Sequence, residues 1–217
     1  CLQGRACIVS PWEVEVDGKR IRTRSITIAT GAVPLIPPFP GLEEIDYLSS
    51  DTLWDLRELP RRLLVLGGGP IGCEMAQAFT RLGSAVTMVE MLPRILTIED
   101  EDVSEFVKKT LGSEGVKILT DHKAVQFHKK NGTPTLLCEH QDKTVTLSFD
   151  KILFALGRKP NVSGFGLEEL GLPLRHNHTI ETNAFMQTKF PNIFACGDVT
   201  GPFQLTHASA YQGELCA

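Results

Sequence analysis

"RRLLVLGGGPIGCEMAQAF", residues 61–79, begins as an apolar run and then sets Gly67, Gly68 and Gly69 where a strand would otherwise continue. Leu63-Leu64-Val65-Leu66 is short and continuously apolar, the pattern of a strand covered on both faces of a parallel sheet. Beyond the glycines, Ile71, Met75, Ala76 and Phe79 recur at helical spacing, so the stretch reads strand, tight turn, helix. Gly67, Gly69 and Gly72 fall in the G-x-G-x-x-G pattern. The first lets the chain turn, the second lets a pyrophosphate approach the backbone, and the third lets helix and strand pack closely. The unpaired amides and positive dipole end of the helix then face the phosphate, and no lysine is needed.

A glycine-rich turn between strand and helix can also exist without a ligand. Its surroundings favour the dinucleotide. Ala76 and Gly83 keep the helix slim, and a second strand, "SAVTMVE", closes on Glu90, which lies 23 positions after Gly67. That is near the roughly 20-residue spacing at which a carboxylate meets the adenosine ribose. A carboxylate accepts hydrogen bonds from both ribose hydroxyls but repels a 2′-phosphate, so NAD(H) is expected in preference to NADP(H). Arg94, the nearest cation, is open to two readings, a solvated loop charge or a phosphate ligand.

Composition narrows the class. The chain has 217 residues with a formal charge of −4 and no basic run, so one large or two modest globular domains are expected and nucleic acid is a poor partner. The apolar runs are too short to span a bilayer and no signal peptide opens the sequence; a cytoplasmic protein is the expectation. Cys1, Cys7, Cys73, Cys138, Cys196 and Cys216 show no metal-ligand spacing, and most are expected to be buried thiols. His176-Asn177-His178 has no third ligand nearby and reads as a polar loop, so no metal is assigned.

Along the chain, "WEVEVDGKRIRT" reads as a hairpin turning at Asp17-Gly18 and feeding the strand "SITIATG". "VPLIPPFPG", with Pro34, Pro37, Pro38 and Pro40, reads as a stiff connector outside the core and a domain boundary. Ser49-Ser50-Asp51 is placed to cap a short helix through Leu59. "IEDEDVSEFVKKTLGSEG" is an acidic-first helix ended by glycine. From Val116 to Phe154, "VKILT", "TPTLLCE", "TVTLSF" and "KILFAL" read as short strands, with Asn131-Gly132 at a hairpin turn. The expected fold class is α/β: a Rossmann-like domain with three-layer ββα character and an antiparallel meander, occupying 34–157.

"SITIATGAVP", "GGGPIGCE", "FALGRKPN" and "NIFACGDVTG", in that order, resemble the pyridine nucleotide-disulfide oxidoreductases, the two-dinucleotide flavoproteins. Glu90 and "MLPRIL" are more similar to the dihydrolipoamide dehydrogenase and mercuric reductase branch than to the glutathione reductases. The resemblance implies NAD and FAD as cofactors, a homodimeric parent, a small-molecule or disulfide electron acceptor, and hydride passage between nicotinamide and flavin. It makes 34–157 the NAD domain, and 1–33 and 158–217 the parts of a similar FAD domain.

Residue by residue, the resemblance implies that Gly67, Gly68, Gly69, Pro70, Ile71, Gly72, Glu90 and Met91 hold NAD, and that Gly157 meets the nicotinamide side. Glu74 is either a carboxylate favouring the helix N-terminus or, by resemblance, the acid facing the nicotinamide. Thr30 and Gly31 match the crossover beside the flavin nucleotide, Arg158 turns back towards FAD, and Asp198 after Gly197 matches the acceptor for a ribityl hydroxyl. Gln204, Leu205, Thr206 and His207 match the segment meeting the isoalloxazine, and Ala6 a backbone contact to adenine. His207 also reads as a structural histidine and Asp198 as a turn cap.

The sequence departs from the family pattern in two places. There is no separate FAD-binding G-x-G-x-x-G followed by a C-x-x-x-x-C, since Cys1 and Cys7 are separated by five residues. The family's dimerisation domain, with its H-x-x-x-x-E acid/base, is likewise expected to lie outside this stretch. The stretch is therefore expected to be the middle of a longer protein, binding NAD weakly and FAD unstably by itself, with no catalytic residue assigned. A flavin NADH oxidase or ferredoxin-reductase relative, or a non-catalytic NAD-binding module, are the competing readings.

Overall fold

The computed structural model describes all residues, Cys1–Ala217. The chain divides into two compact units, Pro34–Gly157 and a split unit of Cys1–Val33 with Arg158–Ala217. In chain order, β1 (Ala6–Ser10), β2 (Glu13–Val16) and β3 (Lys19–Arg22) form an antiparallel sheet. The β2–β3 turn has Asp17 and Gly18 at φ 47° and 81°, the two positive values of a type I′ hairpin. Then come β4 (Ile26–Ile28) and β5 (Ala32–Pro34).

The contiguous unit runs through β6 (Tyr47–Leu48), β7 (Arg62–Leu66), α1 (Pro70–Leu82), β8 (Ala85–Val89), α2 (Glu101–Ser113) and β9 (Lys117–Leu119). β10 (Lys123–Lys130), β11 (Thr133–His140) and β12 (Lys143–Ser148) make the meander, and β13 (Lys151–Phe154) returns to the first sheet. That sheet is parallel, in the order β6-β13-β7-β8-β9. Side-chain alternation along its strands decides the layering. Leu63, Val65, Val86, Met88 and Leu153 face Cys73, Ala76 and Phe79 of α1 and Leu111 of α2. Leu64, Leu66, Val89, Ile152 and Phe154 face Phe127, Leu136 and Cys138 of the meander. The result is meander, parallel sheet, helices: the three-layer ββα arrangement expected from the sequence.

The split unit continues with β14 (Arg158–Pro160), which pairs with β5, then α3 (Leu167–Leu170), β15 (Ile193–Ala195), parallel to β4, and α4 (Thr206–Cys216). Its core gathers Ile8, Ile26, Ile28, Leu167, Leu172, Ile180, Ile193, Ala195 and Val199.

Four expectations need correction. Residues 51–59 form no α-helix, only a 3₁₀ turn at Leu53–Asp55: Leu53 is drawn into the core, and Leu59, preceding Pro60, is disfavoured from helical conformation. The proline-rich connector is not all outside the core, because Phe39 packs edge-on against Phe127 with centroids 5.6 Å apart. The sequence reading passes over β10, whose alternation is weak and broken by a bulge between Ala124 and Gln126. Finally, only Cys73, Cys138 and Cys196 are buried, while Cys7 and Cys216 are half-buried and Cys1 is exposed. No helix is long and apolar enough to cross a membrane.

Candidate functional site

The carboxyl ends of β7, β8 and β13 open onto a cleft of about 580 Å³ in the contiguous unit. This is the edge of a parallel sheet at which ligands collect. Gly67, Gly68, Gly69, Pro70, Ile71, Glu90, Met91 and Gly157 line it. Gly67, at φ 111°, makes the turn that other residues adopt at a cost, and a Cβ there would overlap the Ala155 carbonyl. Gly72 lies beneath the loop rather than in the cleft, and a Cβ on it would overlap the Gly67 carbonyl oxygen. A Cβ on Gly69 meets nothing within 4 Å, so that face of the loop is open.

α1 begins with Pro70 at its first position and no side chain caps it. The first helical bond is Cys73 N–H to Gly69 C=O at 2.9 Å, leaving the Gly69, Ile71 and Gly72 amides without a protein acceptor. Three open amides at the positive end of a 13-residue helix are an anion site with no lysine in it.

Glu90 is held from two sides. Its Oε2 accepts from Gly68 N–H at 2.6 Å and its Oε1 from Leu92 N–H at 2.8 Å. Carboxylate oxygens have about four acceptor sites between them, so a Glu90 fixed in this way keeps capacity for further donors in the cleft. Arg94 is differently engaged: its guanidinium donates to the carbonyls of Glu99 and Thr97 at 2.8 and 3.3 Å, which fits the loop-charge reading. Glu74 is exposed, lies on the second turn of α1 and does not line the cleft. With Glu90 it helps hold the Cys73 thiol up at about 11, burial being the larger cause.

Sequence reasoning missed a wall of the cleft. Leu35, Pro37 and Phe39 come from the proline-rich segment, Leu92 and Ile98 from the loop after β8, His122 from the passage between β9 and β10, Lys123 and Ala124 from the start of β10, and Ala155 and Leu156 from beyond β13. The signal that could have found several of them is topological: residues just past the ends of adjacent parallel strands share one edge.

In the split unit a second group assembles. Arg158 donates through Nε to Asp198 Oδ2 at 3.2 Å and through Nη2 to Ala32 C=O. Thr30 Oγ1 donates to Asn161 C=O at 2.7 Å, while the Asn161 side chain returns a bond to Thr30 C=O at 2.9 Å. Gly31, at φ 65°, accepts from Asn161 N–H, and a Cβ on it would meet nothing within 4 Å. Gly197 N–H donates to Gln212 Oε1 at 2.8 Å, and Gln204 reaches the Asp198 carbonyl at 3.5 Å. Leu205, Thr206 and His207 start α4 and are exposed. Ala6 stands apart: it pairs with Val16 across the first hairpin, and no hydrogen bond joins it to Thr30, Asp198 or Gln204.

Residues 2–213 match the family model described as pyridine nucleotide-disulphide oxidoreductase. The chain belongs to this family. Among similar relatives, a mercuric reductase of Staphylococcus aureus is 32% identical over 216 residues, and a dihydrolipoyl dehydrogenase of Thermus scotoductus 38% over 222. All of this chain aligns in both cases, to 40% and 47% of the relatives' own lengths. The HOCl-induced flavoprotein disulfide reductase RclA from Escherichia coli superposes with a TM-score of 0.89 at 31% identity, covering 98% of this chain and 48% of that one. The chain thus spans about half the length of the pyridine nucleotide-disulphide oxidoreductases it matches. Enzymes of this family depend on FAD and use NAD(P)H. The residues of the first cleft fit the nicotinamide dinucleotide: open amides face a pyrophosphate, and a fixed carboxylate stands at the neighbouring strand end. The second group offers a carboxylate and small backbone turns, which fit the ribityl and nucleotide parts of FAD.

Proposed function

We propose that the Pro34–Gly157 unit binds NAD(H) and that the whole protein is a flavin-dependent pyridine nucleotide-disulfide oxidoreductase of the dihydrolipoamide dehydrogenase or mercuric reductase type. The observation that carries this reading is Glu90, fixed by the Gly68 and Leu92 amides beside the open end of α1. When bound, the nicotinamide and flavin cofactors supply hydride chemistry, and the protein's contribution is placement and electrostatics.

The Gly69 and Ile71 amides would take the pyrophosphate, with Gly72 letting the loop close onto the helix, and Glu90 would take the adenosine ribose hydroxyls. A 2′-phosphate would meet the Glu90 charge with the Arg94 guanidinium engaged elsewhere, hence a preference for NAD(H) over NADP(H). Gly157, at the other rim, would leave room for the nicotinamide, since no side chain projects from it. In the split unit, Thr30, Gly31, Gly197, Asp198, Gln204, Leu205, Thr206 and His207 would hold FAD, Asp198 keeping an oxygen for a ribityl hydroxyl while Arg158 fixes the other. The electron acceptor is a disulfide or small molecule. The binding and positioning groups named here do not include its site.

Calorimetric titration tests the reading. NADH is expected to bind the chain at least about tenfold more tightly than NADPH, and Glu90→Ala to weaken NADH about tenfold or more, the scale of losing charge-assisted hydrogen bonds. Failure of the chain to bind either nucleotide overturns it.

A further inference from the structure

Two polar side chains of the cleft, His122 and Lys123, are accounted for by neither the glycine loop nor Glu90, and of these only His122 is buried. His122 lines the cleft beside Glu90, Met91, Leu92 and Ala124, and only 9% of its surface is exposed. Its place is set by three main-chain bonds that fasten the end of β9 to the end of β8: Glu90 N–H to Leu119 C=O, Asp121 N–H to Leu92 C=O, and His122 N–H to Glu90 C=O, at 2.8, 3.1 and 3.0 Å.

The ring itself is fixed in two further ways. Nδ1 lies 2.6 Å from the Thr120 carbonyl oxygen, and a carbonyl can only accept, so Nδ1 carries the proton. One face of the ring is covered by His140, stacked at 4.2 Å between centroids and 12° between planes. His140 is held in the same manner, with Nδ1 2.9 Å from the Asp121 carbonyl oxygen. In the neutral ring, Nε2 of His122 is therefore a lone-pair acceptor. It has no protein partner, and it is not sealed off either, since Thr80 Oγ1 is the one unbonded side-chain polar atom shut from solvent. A rigid acceptor thus belongs to the cleft wall that Met91, Leu92 and Ala124 also line, with the exposed Lys123 next to it.

We propose that His122 is a base-selecting residue, its Nε2 accepting a hydrogen bond from the exocyclic amine of the adenine ring. The assignment rests on the reading of the cleft as a dinucleotide site and deepens it. Glu90 places the adenosine ribose at the end of β8, and His122, just past β9 and bonded to the Glu90 main chain, lies across β7 and β8 from Gly157, just past β13, which makes it the adenine side of that sugar. Met91, Leu92 and Ala124 supply apolar contact for the base. An acceptor at this point matches the 6-amino donor of adenine and opposes the 6-oxo oxygen of hypoxanthine. His140, which does not line the cleft, holds the ring in place by stacking on it.

The test compares NADH with nicotinamide hypoxanthine dinucleotide, reduced, by calorimetry on the full chain. Wild type is expected to prefer NADH by about tenfold, the scale of one buried hydrogen bond. His122→Phe should lose about that factor for NADH, leave the 6-oxo analogue within about twofold, and so erase the preference; His122→Gln, which returns an acceptor, should restore part of it. ADP-ribose should show the same loss in His122→Phe, and nicotinamide mononucleotide none. His140→Phe keeps an aromatic ring for the stack and should keep the preference. Equal binding of the two dinucleotides by wild type, or an equal loss of both in His122→Phe, overturns the role of His122. Absence of all nucleotide binding by wild type would instead overturn the dinucleotide site itself. Should His122→Phe fail to fold, the wild-type ratio and His122→Gln still decide.

Discussion

The two units differ in how they are made from the chain. Pro34–Gly157 is continuous, and its parallel sheet is covered on both faces, with thirteen buried residues in one cluster and ten in the other. The split unit brings together two distant segments, its parallel strands β4 and β15 have three residues each, and its single cluster has nine buried members. α4 buries none of its residues. A phosphate loop and the carboxylate facing it can be positioned by one run of chain in which strand, turn, helix and next strand follow directly. Arg158 and Asp198 share the second segment, but the strands that place them, β14 and β15, pair with β5 and β4 of the first, so the geometry of the pair is more sensitive to loss of core. The contiguous unit should therefore be the stiffer scaffold.

Equivalent deletions probe that difference most strongly. Leu153 and Ile193 are both fully buried, each on a strand of a parallel pairing. Leu153→Ala should cost about 4 kcal/mol, because a core enclosed by sheet and helices collapses little around the void; Ile193→Ala, in the thinner cluster, should cost about 2–3 kcal/mol. Hydrogen exchange read separately on β7 and β4 amides measures both. Equal costs, or loss of protection in both units from either change, would break the distinction. Gly72→Ala comes next: the new methyl would press on the Gly67 carbonyl, an overpacking cost of about 2 kcal/mol confined to the contiguous unit. It should also weaken NADH binding by displacing the loop.

Legibility in the sequence follows the same division. Leu63 to Leu66 announced a doubly covered strand, and the layers on its two faces follow from alternation alone. Glu90 was legible as cleft lining because its spacing from the glycines is local. His122 and Ala124 were not, since they reach the cleft through the lateral pairing of β8 with β9, a relation no periodicity encodes. Phe39 was hidden among prolines that signal extended chain but say nothing of what the intervening side chains pack against. The short helix expected at residues 51–59 failed because local capping chemistry at Ser49 and Thr52 supports only one turn before Pro60 intervenes.

The smallest effect sharpens the account of the sheet's amino-terminal edge, opposite the cleft. Arg62 begins β7, and its side chain and main-chain amide both donate to Asp150, at the start of β13, with Oδ2 2.8 Å from the amide nitrogen. These bonds hold the Asp150 carboxyl below its usual range, the side-chain bond from Arg62 being the largest cause. A carboxyl with a depressed folded-state pKa contributes stability that is present above its unfolded pKa and lost as pH falls through the folded one. Because both side chains are more than one-third exposed, solvent screening limits the contribution to about 0.5 kcal/mol. Asp150→Asn should therefore be slightly less stable than wild type at neutral pH, with the gap closing below about pH 4. Urea unfolding at pH 7 and pH 3 measures it. A gap that persisted at pH 3 would mean that Asp150 acts through the shape of its turn rather than its charge, and that the parallel register of β7 and β13 is set by the buried faces alone.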